Sequence, residues 1–293
     1  MKNKTRIGLI LGLALFAIGF IINGNLILYL NISGILIVMG GVVAASLLSF
    51  KFEQLRIVHK VITSAYNKPV IKETEIIDIL VDLSIRSRID GILSLQQKEN
   101  ETTILCLRRA LGCLVDGYRI EQIRDILNTE MYFFKLRRED SERVLRTIAD
   151  FCPAFGLMGS VVGLIAMLGG VGDTSILLKS IPIALTSTLY GLLLANFFFL
   201  PFAATIKERT NHELLLQKII MEGVIAIDSE INPVILKIKL ESFLTPSERE
   251  PEFVSYSKLI ERFRIQPKSE TEEVEEEEEN EIQADRTIKI RPG

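Results

Sequence analysis

Between Arg6 and Lys51 the sequence has 44 consecutive residues without Asp, Glu, Lys, Arg or His, and the same lack recurs over Phe151 to Gly172 (22 residues) and Ser180 to Ile206 (27 residues). A bilayer core of roughly 30 Å takes about 20 helical residues, so these are membrane lengths and a secreted or cytosolic enzyme is excluded. No small-residue cleavage site separates the first apolar run from the residues after it, which argues against a cleaved signal peptide. Cysteine is scarce: Cys106, Cys113 and Cys152 are odd in number and form no Cys-x-x-Cys pair. That excludes a disulfide framework, and with only His59 and His212 beside them it also excludes a zinc site. The three thiols read as small buried hydrophobes. No cluster of nucleophile, base and orienting group appears, and no nucleotide loop or metal constellation, so neither an enzyme nor a bound cofactor is expected.

What is present is sharply segregated. Hydrophobic residues make up 48% of the 293 positions and charged residues 24%. Residues 245–293 hold 14 acidic and 8 basic side chains, a net charge of −6, and the rest of the chain is close to neutral. Nothing is basic enough for nucleic acid. Pro267 to Glu281, with five consecutive glutamates at Glu275 to Glu279, has almost no apolar content, hence no core to fold around, and reads as disordered. The default for this acidic tail is solvated charge; binding a basic partner or regulating assembly is the alternative.

The first window is too long for one span and is broken by Asn23-Gly24-Asn25, so it reads as a hairpin: Ile7 to Ile22, a turn region to Ile32, then Ser33 to Phe50. With the two later windows that makes four transmembrane helices. Lys2, Lys4 and Arg6 precede the first span, Lys51 and Arg56 follow the second, and Lys207 and Arg209 follow the fourth. The turns at 23–32 and 173–179 hold only Lys179, which places both termini in the cytoplasm. Residues 51–150 carry 17 basic and 16 acidic side chains, one proline (Pro69) and apolar residues at helical spacing, such as Ile76, Ile77, Leu80 and Leu83. No alternating run predicts a strand. The expected protein is all-α: a transmembrane hairpin (1–50), a helical cytoplasmic domain (51–150), spans three and four (151–206), a helical extension (207–244) that Asn232-Pro233 stops, and the tail (245–293).

No ionisable residue lies inside any span. Proton relays and cation sites in membranes need a carboxylate at depth, because hydrocarbon cannot solvate the ion. The chain is therefore either a passive anchor or the wall of a path whose carboxylate comes from another subunit. Span three carries Gly159 and Gly163 at a Gly-x-x-x-Gly spacing that lets backbones approach, and span four offers Thr186, Ser187, Thr188, Gly191, Ala195 and Asn196. Such residues more often mean helix packing than an ion path. Pro153 and Pro201 stand near the cytoplasmic ends of the two spans, where a kink is tolerated and can act as a pivot.

These stretches resemble a known family. Pro153-Ala-Phe-Gly-Leu-Met-Gly-Ser-Val-Val-Gly-Leu-Ile-Ala-Met-Leu, then Ala184-Leu-Thr-Ser-Thr-Leu-Tyr-Gly-Leu-Leu-Leu-Ala-Asn196, Pro201, Glu222-Gly-Val-Ile-Ala-Ile and Asn232-Pro233 are similar to MotA/PomA flagellar stator subunits. Leu36 to Gly41 and Ser87 to Leu95 add to the likeness, which runs in order to about Leu244. The resemblance implies a bacterial inner-membrane stator that couples inward flow of protons or sodium ions to torque. Five copies would surround two copies of MotB, a peptidoglycan-binding subunit whose transmembrane aspartate binds the ion. It further implies that Pro153 and Pro201 couple ion passage to conformational change, that Ser160 and Thr188 line the path, and that Arg88 engages the rotor protein FliG.

Two departures stand out. The family's glutamate five residues after the rotor-motif glycine is Gln96 here, so that contact is lost or moved to Glu99 or Asp90, and Glu130 falls near another acidic position of the family. Ser160 is both small and hydroxylated, which leaves the ion open with a lean to protons. The alternatives are an ExbB/TolQ-type energiser, which generally lacks the opening hairpin, and a solute transporter, for which no inverted repeat is visible.

Overall fold

The computed structural model describes residues 29–67, 69–96, 104–171 and 173–249, with a few isolated positions besides. Most of the expected first span, residues 23–28, Glu99 and nearly all of the acidic tail lie outside the described residues. The helices are α1 (Ile32–Ser49), α2 (Phe52–Asn67), α3 (Glu73–Asp90), α4 (Leu105–Val115), α5 (Ile120–Gly169), α6 (Thr174–Leu193), α7 (Leu200–Asp228) and α8 (Pro233–Glu241). Among the described residues there is no strand, and the protein is all-α. Three helical stretches are long and apolar enough to cross a membrane: Ile32–Ser49, the end of Ile120–Gly169, and Thr174–Asp228, in which α6 and α7 run on through Leu194–Phe199.

Two compact units form, Met1–Lys68 with Leu136–Thr210 and Pro69–Lys135 with Asn211–Gly293. In the first, α1 is capped by Asn31, whose Oδ1 accepts from the Gly34 N–H at 2.9 Å. Its buried side, Val38 and Val42, joins Val58, Leu145, Ile148, Cys152 and Ala203. The Tyr66 ring stands edge-on to Phe202 at 5.8 Å. Most of the remaining apolar surface is open: Leu36, Ile165 and Leu185 are each about two-thirds exposed. Water would make that a liability; lipid or a neighbouring chain makes it ordinary.

The second unit is built as soluble domains are. Ile76, Ile77, Leu80 and Leu83 of α3, Leu107 and Leu111 of α4, Ile123 and Leu127 at the start of α5, Ile219, Ile220 and Val224 of α7 and Leu236 and Leu240 of α8 are almost wholly buried in one cluster. Fully burying a side chain of this size stabilises by about 1.5–3 kcal/mol. Gly223 lets α7 pass so near α3 that a Cβ there would stand 2.6 Å from Leu80 Cδ1.

Two boundaries differ from the sequence reading. The turn expected at 173–179 is shorter, because Asp173 caps α6 by accepting the Ser175 N–H at 2.8 Å and the helix already runs through Lys179. The helix leaving span four ends at Asp228 rather than at Asn232-Pro233, because a left-handed residue, Glu230, turns the chain first. Asn232 and Pro233 instead start α8, the asparagine side chain accepting the Val234 N–H at 2.9 Å and the proline filling a first-turn position that has no donor to lose.

Candidate functional site

The seam between α5 and α6 is made of backbone. A Cβ added at Gly163 would stand 2.6 Å from the Ala184 nitrogen and 2.8 Å from its Cα; one at Gly159 would stand 2.5 Å from Ser187 Cβ; and one at Gly191 would collide with the Cys152 carbonyl. Gly156 faces the Ser187 carbonyl and the Thr188 Cα. With lipid as apolar as leucine, close backbone approach and hydrogen bonds are what hold such helices together.

Ser160 and Thr188 meet on this seam. Their hydroxyl oxygens are 2.5 Å apart, and Ser160 Oγ also lies 2.5 Å from the Ala184 carbonyl and 3.3 Å from that of Gly156. Each hydroxyl has one proton, so when Ser160 donates to Ala184, Thr188 donates to Ser160. Both side chains are half-buried in a single chain. The pair can orient water or help coordinate a cation, but it carries no charge with which to neutralise one.

Sequence reasoning missed Tyr190, two residues further along α6. Its hydroxyl accepts the Asn31 N–H at 2.7 Å and donates to the Tyr29 carbonyl, so one side chain satisfies two backbone groups at the entry to α1. Backbone groups in hydrocarbon must be paired internally, which gives this bond its value. Beside it, a Cβ at Gly34 would stand 2.9 Å from Ser187 Oγ and 3.5 Å from the Tyr190 ring. The signal in the sequence is a lone tyrosine among aliphatics, with no spacing to say where its hydroxyl goes.

Pro153 lies inside α5, which begins 33 residues earlier at Ile120, so the apolar stretch expected as the third span is the end of a longer helix. Pro201 follows six residues, Leu194–Phe199, in which the helix widens to π turns; the Leu200 N–H reaches back five residues to the Ala195 carbonyl. Proline cannot donate to the carbonyl four residues before it and its ring crowds that carbonyl, and a widened turn is one way to absorb this. Asn196 sits in the widened stretch, its amide donating to the Leu192 carbonyl at 2.9 Å.

In the second unit Arg88 and Asp90 are exposed at the end of α3, where Gly91 (φ 80°) turns the chain into a short 3-10 turn, Ile92–Ser94, and Gln96 is exposed just beyond. The Arg88 guanidinium donates to the Glu230 carbonyl. Glu130 is placed elsewhere: Arg109 lies 3.0 Å from its Oε2. Beside that pair, burial pushes the Cys106 thiol up to about 12, with Glu130 adding to the effect and Arg109 opposing it, so the thiol is inert at neutral pH.

A charge-free pair of spans with a glycine seam and a half-buried hydroxyl pair suits the wall of a membrane channel. Residues 95–218 match the MotA/TolQ/ExbB proton channel family. Over 248 residues the chain is 33% identical to the uncharacterized protein YtxD of Bacillus subtilis, covering 83% of this chain and 91% of that one. It is 29% identical to the chemotaxis protein PomA of Vibrio alginolyticus over 249 residues, covering 85% and 98%. A solved MotAB structure from C. jejuni superposes with a TM-score of 0.79 at 26% identity, covering 87% of this chain and all of that one. The chain belongs to the MotA/TolQ/ExbB proton channel family and is a multi-pass membrane protein. Within the family it is a flagellar motor stator subunit.

Proposed function

We propose that this chain forms the wall of an ion path completed by a MotB-type subunit, and that inward flow of protons, or of sodium ions, through it drives torque on the rotor. The observation that carries this reading is the Ser160–Thr188 hydroxyl pair on a helix seam without a carboxylate. Filling and emptying a partner's aspartate beside these hydroxyls changes its charge, and the two states pack differently against helices that hold Pro153 and Pro201. The assembly is a homo-oligomer, a pentamer around two partner chains, in the cytoplasmic membrane with both termini inside. Its lipid-facing side is the open apolar surface of α1, α5 and α6. Arg88 and Asp90, with Glu99, meet FliG, and Glu130 pairs with Arg109 instead.

Ion flux into liposomes holding the purified chain, with and without its partner and with each gradient imposed separately, is the test. Flux is expected only with the partner; robust flux from the chain alone sinks the reading. Flux under one gradient only identifies the ion. Cysteines introduced at Asn25 and Thr174 are expected to label from outside the cell and one at Ser141 not to; the reverse pattern removes the proposed topology.

A further inference from the structure

Two helices of the second unit end in the same way, with a different residue at the critical place. At the end of α4 the Tyr118 N–H bonds the Cys113 carbonyl and the Gly117 N–H bonds the Leu114 carbonyl, each at 3.1 Å, with Gly117 at φ 73°. At the end of α7 the Ile231 N–H bonds the Ala226 carbonyl at 3.1 Å and the Glu230 N–H bonds the Ile227 carbonyl at 3.0 Å, with Glu230 at φ 50°. This is the Schellman turn, whose left-handed position glycine occupies because a Cβ is disfavoured there. Glu230 is the non-glycine residue with positive φ among the described residues. An observed backbone outlier of this kind invites a functional reason for the side chain that causes it.

The surroundings supply one. Glu230 is exposed, and its own carbonyl accepts from Arg88, so the turn that bears Glu230 lies against the end of α3 although 142 residues separate them in sequence. The acidic partner expected five residues after Gly91 is Gln96, which has no charge. We infer that Glu230, held in a left-handed turn next to Arg88, supplies the acidic half of the rotor-binding patch in place of Gln96, and that the face it meets carries a basic side chain. This rests on the proposed rotor contact of Arg88. A guanidinium at the end of a helix also suits the negative end of its dipole, which keeps Arg88 and the turn together whatever the partner does.

The experiment uses the full chain, expressed with its partner in host cells lacking their own copy, with membrane insertion checked by fractionation. Glu230→Lys is expected to weaken stator attachment to the rotor by about two- to fivefold, the range of one exposed charge contact, and to slow swimming. Glu230→Gly is expected to weaken attachment too, while the thermal midpoint of the purified complex stays equal or rises; a residue with only a structural role would not separate the two readings. Arg88→Glu combined with Glu230→Lys is expected to swim worse than either single change and to recover when rotor charges are reversed. Recovery by the double change without any rotor change would overturn the inference, since the two residues would then serve only each other. Arg88→Glu swimming normally overturns the rotor contact and the inference together. Arg88→Glu impaired while both Glu230 variants attach normally overturns the Glu230 assignment alone.

Discussion

The seam between α5 and α6 and the core of the second unit solve the same packing problem with opposite materials. In the seam, Gly156, Gly159, Gly163 and Gly191 bring two backbones together and Ser160, Ser187 and Thr188 supply hydroxyls. In the core, Leu80, Leu111, Ile219 and Leu236 exclude water with their bulk. A leucine stabilises the second arrangement by leaving water, and gains little in a bilayer, where its surroundings are already hydrocarbon. What orders the seam is therefore close fit and hydrogen bonding. Its tolerance of an added atom is correspondingly small, while the core suffers most from a lost one.

The sharpest way to break that contrast is to add side chain at the seam. Gly163→Val places atoms where the Ala184 backbone already stands, and the helix cannot yield without parting from its neighbour. Overpacking costs roughly 1–3 kcal/mol where neighbours can shift and more where backbone is in the way. Loss of swimming together with a lowered thermal midpoint in detergent is expected; normal swimming would mean that the helices separate freely. In the core the damaging change is the reverse one: Leu80→Ala leaves a cavity and is expected to cost about 2–5 kcal/mol, read by denaturant unfolding of the purified protein.

Much of this contrast is legible in the sequence. Windows without charge mark the spans because hydropathy is a local property, and Gly159 with Gly163 announce close packing because helical spacing is local as well. Ser160 and Thr188 are 28 residues apart, and their meeting could be expected only from the family resemblance. The bonds that cross the fold left no trace of that kind. Nothing about Tyr190 points to Asn31, and nothing about Arg88 points to Glu230, since partners at separations of 159 and 142 residues are chosen by the folded geometry. The end of α7 escapes the sequence for another reason: Asn-Pro is a strong local signal, and a helix ending on a left-handed glutamate breaks the rule by which ends are read.

Smaller effects sharpen the comparison. Tyr190→Phe keeps the ring and removes only the hydroxyl that serves Asn31 and Tyr29. Single hydrogen bonds between membrane helices contribute about 0.6 kcal/mol, up to roughly 1.7. The expected outcome is a modest fall in thermal midpoint that Tyr190→Ala exceeds; equal effects would show that the ring alone matters.

Smallest is the charged counterpart in the second unit, where Glu222 lies 3.3 Å from Lys218 and 2.9 Å from Lys239. Burial pushes its carboxyl up, but the two lysines more than offset that and hold it below its ordinary value of 4.5. A carboxyl lowered in the folded state stabilises above its unfolded pKa, and that contribution disappears as pH falls through the folded value. Glu222→Gln should therefore lower stability at neutral pH by no more than about 1 kcal/mol and flatten the acid side of the stability curve below 4.5. An unchanged acid slope would show that the lysines do not stabilise the carboxylate.

The widened turns at Leu194–Phe199 bear on how this chain tolerates changes of length. A π turn holds one residue more than an α turn, so the segment amounts to an insertion absorbed by a helix. Removing one residue elsewhere in α6 or α7 turns every later side chain by about 100°, since a turn holds 3.6 residues, and sends the buried face outward. Removing one within Leu194–Phe199 restores the ordinary pitch and leaves Ala203 and Ile206 on the side they now occupy. That deletion also places Pro201 in an ordinary turn, where its ring meets the carbonyl four residues back, so the shorter chain exchanges a wide turn for a kink.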